Sequence, residues 1–195
     1  MIHLAMIRHG PTDWNEAKRI QGHADRGLSV AGREAVARWT LPGELAGLQW
    51  YASPLSRARE TARLLGIEPR IEPVLIEMDW GEGEGLRSAE IRARYGPEFE
   101  RRTSMGLDMR PHGGESPREL RARLAAWLAD VSAAGRPAGA VCHLGVIRAV
   151  LSLATGWDMI TKPPVRLEWA AAHLFALDAS GTVSLERANI MLDGS

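Results

Sequence analysis

The chain opens with a nearly unbroken apolar run, Ile2, Leu4, Ala5, Met6 and Ile7, which predicts a strand buried on both faces. The run stops at Arg8-His9-Gly10-Pro11, a polar stretch with two residues that interrupt regular structure. Behind Ser29, a good helix cap, Val30, Ala35, Val36 and Trp39 fall at helical spacing and predict a helix reaching about Leu45. Gln49-Trp50-Tyr51-Ala52 reads as a short strand. Ser53-Pro54 then opens a helix over about 55–65, with proline in its first turn and Gly66 as its stop. Val74-Leu75-Ile76 predicts a third strand. Residues 77–114 break the rhythm: they are rich in Gly, Pro, Arg and Glu, with one helix at Ser88–Tyr95. Beyond them, 116–133 reads as a long amphipathic helix with Leu120, Leu124, Trp127, Leu128 and Val131 on one side. Ala138–Cys142 predicts a fourth strand and 146–154 a helix. Ala171–Leu177 and 183–187, joined by Asp178-Ala179-Ser180-Gly181, predict a closing hairpin.

Strands alternating with helices predict an α/β fold, a three-layer α/β/α sandwich with a mostly parallel central sheet. The chain is expected to be a single domain over 1–195, with a small inserted cap at about 78–114. Ligands of such sheets sit at the carboxyl ends of the strands. The first predicted strand ends at Arg8-His9. The second ends at Ser53, with Arg57 in the helical turn that follows. The third ends at Glu77, and the fourth at His143, with Gly145 opening the next helix. Two histidines, two arginines and a glutamate are thus expected at one edge.

Composition narrows what that edge can serve. A chain of 195 residues buries roughly 70% of its unfolded surface and needs no staples. The net charge is zero, so the overall balance points to neither nucleic acid nor a membrane surface as partner. The longest apolar runs, 2–7 and 169–177, are too short to span a bilayer, and no secretory signal pattern is read. Of the 24 basic residues only Lys18 and Lys162 are lysines; arginine supplies planar forked donors suited to anions. Cys142 is the single cysteine, which excludes an internal disulfide and suits a reducing cytoplasm.

Two guanidinium groups and two imidazoles around one point fit a phosphoryl group. Arginine forks bind its nonbridging oxygens, and a helix N-terminus adds backbone N–H groups. A neutral histidine keeps one nitrogen lone pair when its other nitrogen donates a proton, so it can attack phosphorus in line. A carboxyl group can protonate the leaving oxygen and later deprotonate water. Glu82 and Glu84 lie near Glu77; Glu77 is favoured because it directly follows the predicted strand.

The segments that carry these residues resemble, in order, the motifs of the histidine phosphatase superfamily, the phosphoglycerate-mutase-like group. They are Arg8-His9-Gly10-Pro11-Thr12-Asp13-Trp14-Asn15, Ile20-Gln21-Gly22-His23, Ser53-Pro54-Leu55-Ser56-Arg57-Ala58-Arg59-Glu60-Thr61-Ala62, Glu77-Met78-Asp79-Trp80-Gly81-Glu82-Gly83-Glu84-Gly85, Gly113-Gly114-Glu115-Ser116 and His143-Leu144-Gly145-Val146-Ile147-Arg148. The resemblance implies His9 as a phosphorylated nucleophile and Arg8, Arg57 and His143 as a phosphate pocket. It implies Glu77 as proton donor, and Thr12, Asn15, Gln21 and Gly22 as further contacts. It also implies no metal and no cofactor. The chain departs from the family pattern at Leu144, where a glycine is usual, and at Cys142, where Ser or Thr is usual. A side chain at 144 sits where it would crowd the phosphate or redirect the substrate.

The resulting expectation is a compact phosphatase acting on a small phosphorylated metabolite. A phosphoglycerate-mutase-type transfer, an α-ribazole phosphate phosphatase and a non-catalytic phospholigand binder are the alternatives. Cys142 to Arg148 also has the Cys-x5-Arg spacing of cysteine-dependent phosphatases. That reading leaves Arg8-His9-Gly10 and Arg57 without a role. Asn15 has a simpler reading as a turn cap. His23, Trp14 and Trp80 lie beside motif residues and are candidate walls of the cleft. Oligomeric state is not fixed by the sequence; a homodimer through the closing hairpin is one arrangement.

Overall fold

A computed structural model describes residues 1–192, the side chain of Glu100 aside. Six strands form one sheet: β1 (Ile2–Arg8), β2 (Gln49–Ala52), β3 (Arg70–Ile71), β4 (Ala138–Cys142), β5 (Ala171–Leu177) and β6 (Val183–Met191). Their order is β3-β2-β4-β1-β5-β6. The first four of these run parallel, and β5 and β6 add antiparallel at one edge. The expected α/β sandwich with a mostly parallel sheet is therefore present.

The period of two along the strands builds both faces. Leu4 and Met6 of β1, with Ala138, Ala140 and Cys142 of β4 and Phe175 and Leu177 of β5, share one core. Their partners are α6 (Pro117–Ala133) and α7 (Leu144–Thr155), which contribute Leu120, Leu124, Leu128, Val146 and Ile147. Ala5 and Ile7 of β1 and Ala172 and Leu174 of β5 face the other way, with Leu45 and Leu192. On that second face Ala52 and Val141 meet Ala58 and Ala62 of α3 (Ser56–Leu64). No helix among the described residues is long and apolar enough to cross a membrane.

Several elements depart from the sequence expectation, each for a local reason. Val74-Leu75-Ile76 is not a strand. Pro73 has no N–H to give to a ladder, Glu72 accepts from the Val74 N–H, and Pro73–Leu75 winds as a single 3₁₀ turn. The third strand is the two-residue β3, at the sheet edge. Helix α2 (Val30–Val36) stops well before Leu45: Pro42 follows, and Gly43–Leu45 forms a separate 3₁₀ turn. Helix α3 begins at Ser56, so Pro54 lies just outside it, and Asp25 accepts from the Ser56 N–H in place of a local cap. Strand β6 runs four residues past Arg187. Residues 78–114 hold two helices, α4 (Ser88–Tyr95) and α5 (Pro97–Thr103), where one was expected.

Candidate active site

Register alone assembles the polar edge. Arg8 pairs with Cys142 and Ala52 with Val141, so the parallel strands β1, β4 and β2 end level with one another. The chain leaves each end through the same contact: His9 N–H donates to Cys142 O at 2.9 Å, and Ser53 N–H to Val141 O at 3.0 Å. Arg8, His9, Ser53 and His143 therefore converge, as expected from three of the four predicted strand ends.

His9 is buried, and its Nδ1 lies 2.7 Å from Gly10 O. A carbonyl only accepts, so Nδ1 carries the proton and Nε2 keeps its lone pair. Burial, and then the charges of Arg57 and Arg8, hold this imidazole well below the usual histidine range, against the opposing pull of the Gly10 carbonyl. The Gly10 N–H donates to Thr61 Oγ1 at 2.9 Å, which pins the turn after β1 to α3.

His143 caps α7, its ring centroid 5.2 Å from that of His9. Arg57 Nε donates to its Nδ1 at 3.2 Å, so its proton sits on Nε2 and reaches Ser53 Oγ at 2.7 Å. Both ring nitrogens are thus engaged. Desolvation keeps this ring neutral too, with Arg57 the next cause.

Arg57 is fully buried, and its fork does structural work as well: Nη2 donates to Gly22 O at 2.7 Å and Nη1 to Ala24 O at 3.0 Å. The 22–24 loop is closed from its other side by Glu84, whose carboxylate accepts from the N–H groups of His23 and Ala24, both at 2.6 Å. A Cβ on Gly22 would stand 2.2 Å from Glu84 Oε1. Glu84 is therefore a loop clamp, separate from the acid role weighed for Glu77.

Arg8 stacks on Trp169, its Cζ 3.6 Å from the ring centroid, and the same indole donates to His9 O at 2.7 Å. The Arg8 Nε is buried without a hydrogen-bond partner. Burial pulls both Arg8 and Arg57 down to about 10, with Glu77 opposing. Gln21 offers a second orphaned donor: its Oε1 accepts from Thr12 Oγ1 at 2.9 Å, while Nε2 is buried and unpaired. Thr12 and Asn15 form a capping box at the start of α1 (Asp13–Glu16), so the cap reading of Asn15 holds.

Glu77 does not hang from a strand end; it follows the 3₁₀ turn. Its buried carboxyl accepts from Met78 N–H at 2.8 Å and from Gly145 N–H, in the first turn of α7, at 3.0 Å. Desolvation raises its pKa above the usual value, against these two N–H groups and the charges of Arg57 and Arg8. Arg123 of α6 holds the segment, donating to the carbonyls of Val74, Ile76 (2.7 Å) and Glu77 (3.2 Å) while paired with Glu115 at 2.8 Å. His23 braces the other side, its Nε2 2.9 Å from Glu77 O, and lies behind the site instead of lining it. Trp14 packs on Gly85, whereas Trp80 does line the site.

Arg8, His9, Asn15, Gln21, Glu77 and Leu144 share one cavity of about 360 Å³. Arg57 and His143 stand directly behind it. Cys142 is buried in the α6–α7 core, and burial pushes its thiol up, which removes the thiolate that the Cys-x5-Arg reading needs. Trp169 and Arg123 were not found from the sequence. Trp169 precedes β5 with no pattern to mark it. Arg123 did leave a signal, a cation on the apolar stripe of α6 between Leu120 and Leu124.

The sequence model of the histidine phosphatase superfamily, branch 1, matches residues 4–190. A 2,3-bisphosphoglycerate-dependent phosphoglycerate mutase of Gloeobacter violaceus is 31% identical over 94% of this chain and 90% of its own. A glucosyl-3-phosphoglycerate phosphatase of Mycobacterium tuberculosis is 35% identical over 75% of this chain and 72% of its own. The structure of a mycobacterial glucosyl-3-phosphoglycerate phosphatase in complex with VO3 superimposes with a TM-score of 0.82 at 29% identity, covering 97% of this chain and 99% of that one.

Proposed function

The chain belongs to the histidine phosphatase superfamily, and from that premise we propose that it is a metal-independent phosphatase that hydrolyses a small phosphomonoester through a phosphohistidine at His9. The observation that carries this reading is one cavity lined together by Arg8, Gln21, Glu77 and His9, an imidazole whose Nδ1 gives its proton to Gly10 O so that Nε2 keeps its lone pair. Such a lining suits an acceptor-rich anion placed next to a nucleophile.

In the first step His9 Nε2 attacks phosphorus, a P–N bond forms and the bond to the leaving oxygen breaks. Glu77, whose carboxyl burial biases towards its protonated form, gives its proton to that oxygen. In the second step water attacks phosphorus, Glu77 takes its proton, the P–N bond breaks and inorganic phosphate leaves. Arg8 and Arg57 stabilise the charge spread over the equatorial oxygens. His143 joins them by exchanging its Ser53 hydrogen bond for a phosphoryl oxygen. Asn15 and Gln21 line the cavity, with the buried Thr12 hydroxyl hydrogen-bonded behind them.

The kinship to a phosphoglycerate mutase supports a second reading, in which the same phosphoenzyme hands its phosphoryl group to a substrate hydroxyl instead of water. Hydrolysis of p-nitrophenyl phosphate in excess chelator, by wild type, His9→Ala and Cys142→Ser, tests the proposal. Activity lost only in His9→Ala, with acid-labile phosphate trapped on wild type, is the expected result. Loss in Cys142→Ser alone overturns it. Interconversion of phosphoglycerates faster than phosphate release favours the mutase.

A further inference from the structure

Beyond Arg8, His9, Asn15, Gln21 and Glu77, the cavity is lined mainly by apolar side chains from separate parts of the chain, with Arg19, Thr103 and Arg148 among them. Ile20 comes from the loop after α1, Met78 and Trp80 from the segment after Glu77, Met109 from the end of the 78–114 stretch, Leu144 from α7 and Met159 from the loop beyond it. All of them line the same space as His9 and Glu77. A group bonded to a phosphoryl group at His9 would share this space with them.

Size and shape agree. A cavity of about 360 Å³ is in the range that holds a small organic ligand and exceeds what a phosphoryl group alone fills. Three of the six wall residues are methionines, which adapt to irregular apolar and aromatic surfaces. Leu144 sits at the mouth of α7, one residue from the Gly145 that meets Glu77, and lines the same cavity as that carboxyl. Of the cations that reach the cavity beyond the phosphate end, Arg19 is already tied to Gly85 O at 2.6 Å and lies 3.6 Å from Glu90. Arg148 keeps its charge beside the cavity, its guanidinium 5.0 Å over the Trp157 ring and close enough to Glu77 to interact with its carboxylate, so it is the cation a test must control.

Resting on the phosphatase reading, we infer that the leaving group of the substrate is a mainly apolar alcohol, aryl-bearing or branched alkyl, and that Leu144 and Met159 select it. This deepens the assignment of the site: polar grip at the phosphoryl end, apolar receptor at the other.

The test compares 2-phenylethyl phosphate with glycerol 3-phosphate, two primary alkyl esters, so that burial and not leaving-group basicity sets the difference. Wild type is expected to favour the phenylethyl ester by about tenfold or more in kcat/KM, the size of discrimination that a few buried methylenes give. That ratio is expected to fall severalfold in Leu144→Ala and in Met159→Ala. A wild-type ratio near or below one overturns the inference without any variant. So does a ratio unchanged in both variants, folding being checked by circular dichroism. A preference for 3-phosphoglycerate that disappears in Arg148→Gln also overturns it, by giving the leaving-group end to that cation. If wild type hydrolyses neither these esters nor p-nitrophenyl phosphate, the phosphatase reading fails. Calorimetric binding of the two esters to His9→Ala then decides the apolar receptor separately: equal affinities sink it.

Discussion

The carboxyl of Glu77 meets α7 through the Gly145 amide, and a Cβ at 145 would stand 2.3 Å from Oε1. The end of the Glu77 side chain can yield where backbone cannot. Gly145→Ala is therefore expected to fold but to misplace the acid. Its turnover of alkyl phosphates should drop by roughly 10²-fold, the scale of general acid catalysis, and that of p-nitrophenyl phosphate by much less. Equal losses with both leaving groups would remove Glu77 as the acid. Trp169 poses a different question. It stacks on Arg8 and donates to His9 O, so it positions both groups without lying in the cavity wall. Trp169→Leu should weaken inhibition by inorganic phosphate roughly 2- to 30-fold, the worth of a cation–π contact of about 0.5–2 kcal/mol, and Trp169→Phe should restore most of it. The two titrating groups set the pH profile. His9 stays neutral well below the usual histidine range, so the acid limb lies at low pH. Glu77 must be protonated to act, and its pKa is raised, so kcat should fall as pH climbs through that value. A pH–rate profile of Glu77→Gln that keeps the same alkaline limb would contradict the assignment.

Among the elements, the segment before Glu77 shows what a sequence pattern can and cannot carry. Three apolar residues in a row suit a strand, but Pro73 ahead of them and the Glu72 cap favour a turn. Glu77 reaches the polar edge by a route other than a strand end: it is presented by a strut, Arg123, and a helix mouth, Gly145. Strand ends at Arg8, Ser53 and His143 were legible because buried parallel strands have unmistakable apolar runs and their register aligns them. Contacts between distant segments, such as Trp169 on Arg8 or Glu84 on the 22–24 loop, leave no periodic trace. The strut has a measurable weight. Arg123→Met strips hydrogen bonds from three carbonyls and leaves Glu115 without its partner, which should lower stability by about 2–3 kcal/mol. Urea unfolding measures that loss. Limited proteolysis should then cut near 74–78 before the rest of the chain.

At the scale of the whole molecule, buried imidazoles make stability depend on pH. His9, His143 and His173 all titrate below the unfolded value, His173 at about 4 through burial. Below the unfolded histidine value of about 6.5 the unfolded chain binds protons that the folded chain refuses, so stability is full above that pH and falls beneath it. His173 alone accounts for roughly 3 kcal/mol of loss by pH 4. Glu77 works in the opposite sense, since its raised pKa lets the folded state hold a proton longer. Urea midpoints should therefore decline from pH 7 to pH 5, and a flat profile would mean that the three rings are not neutral in the fold. Arg57 bears on kinship as well as on chemistry. Its fork holds the carbonyls of Gly22 and Ala24, and its Nε the ring of His143. A descendant that gave up catalysis would still need Arg57 to keep its loop, but would be free to discard His9 or the glycine beside Glu77. On the proposed chemistry, then, an arginine at 57 would report the architecture of this loop as much as catalysis, whereas His9 would report catalysis alone.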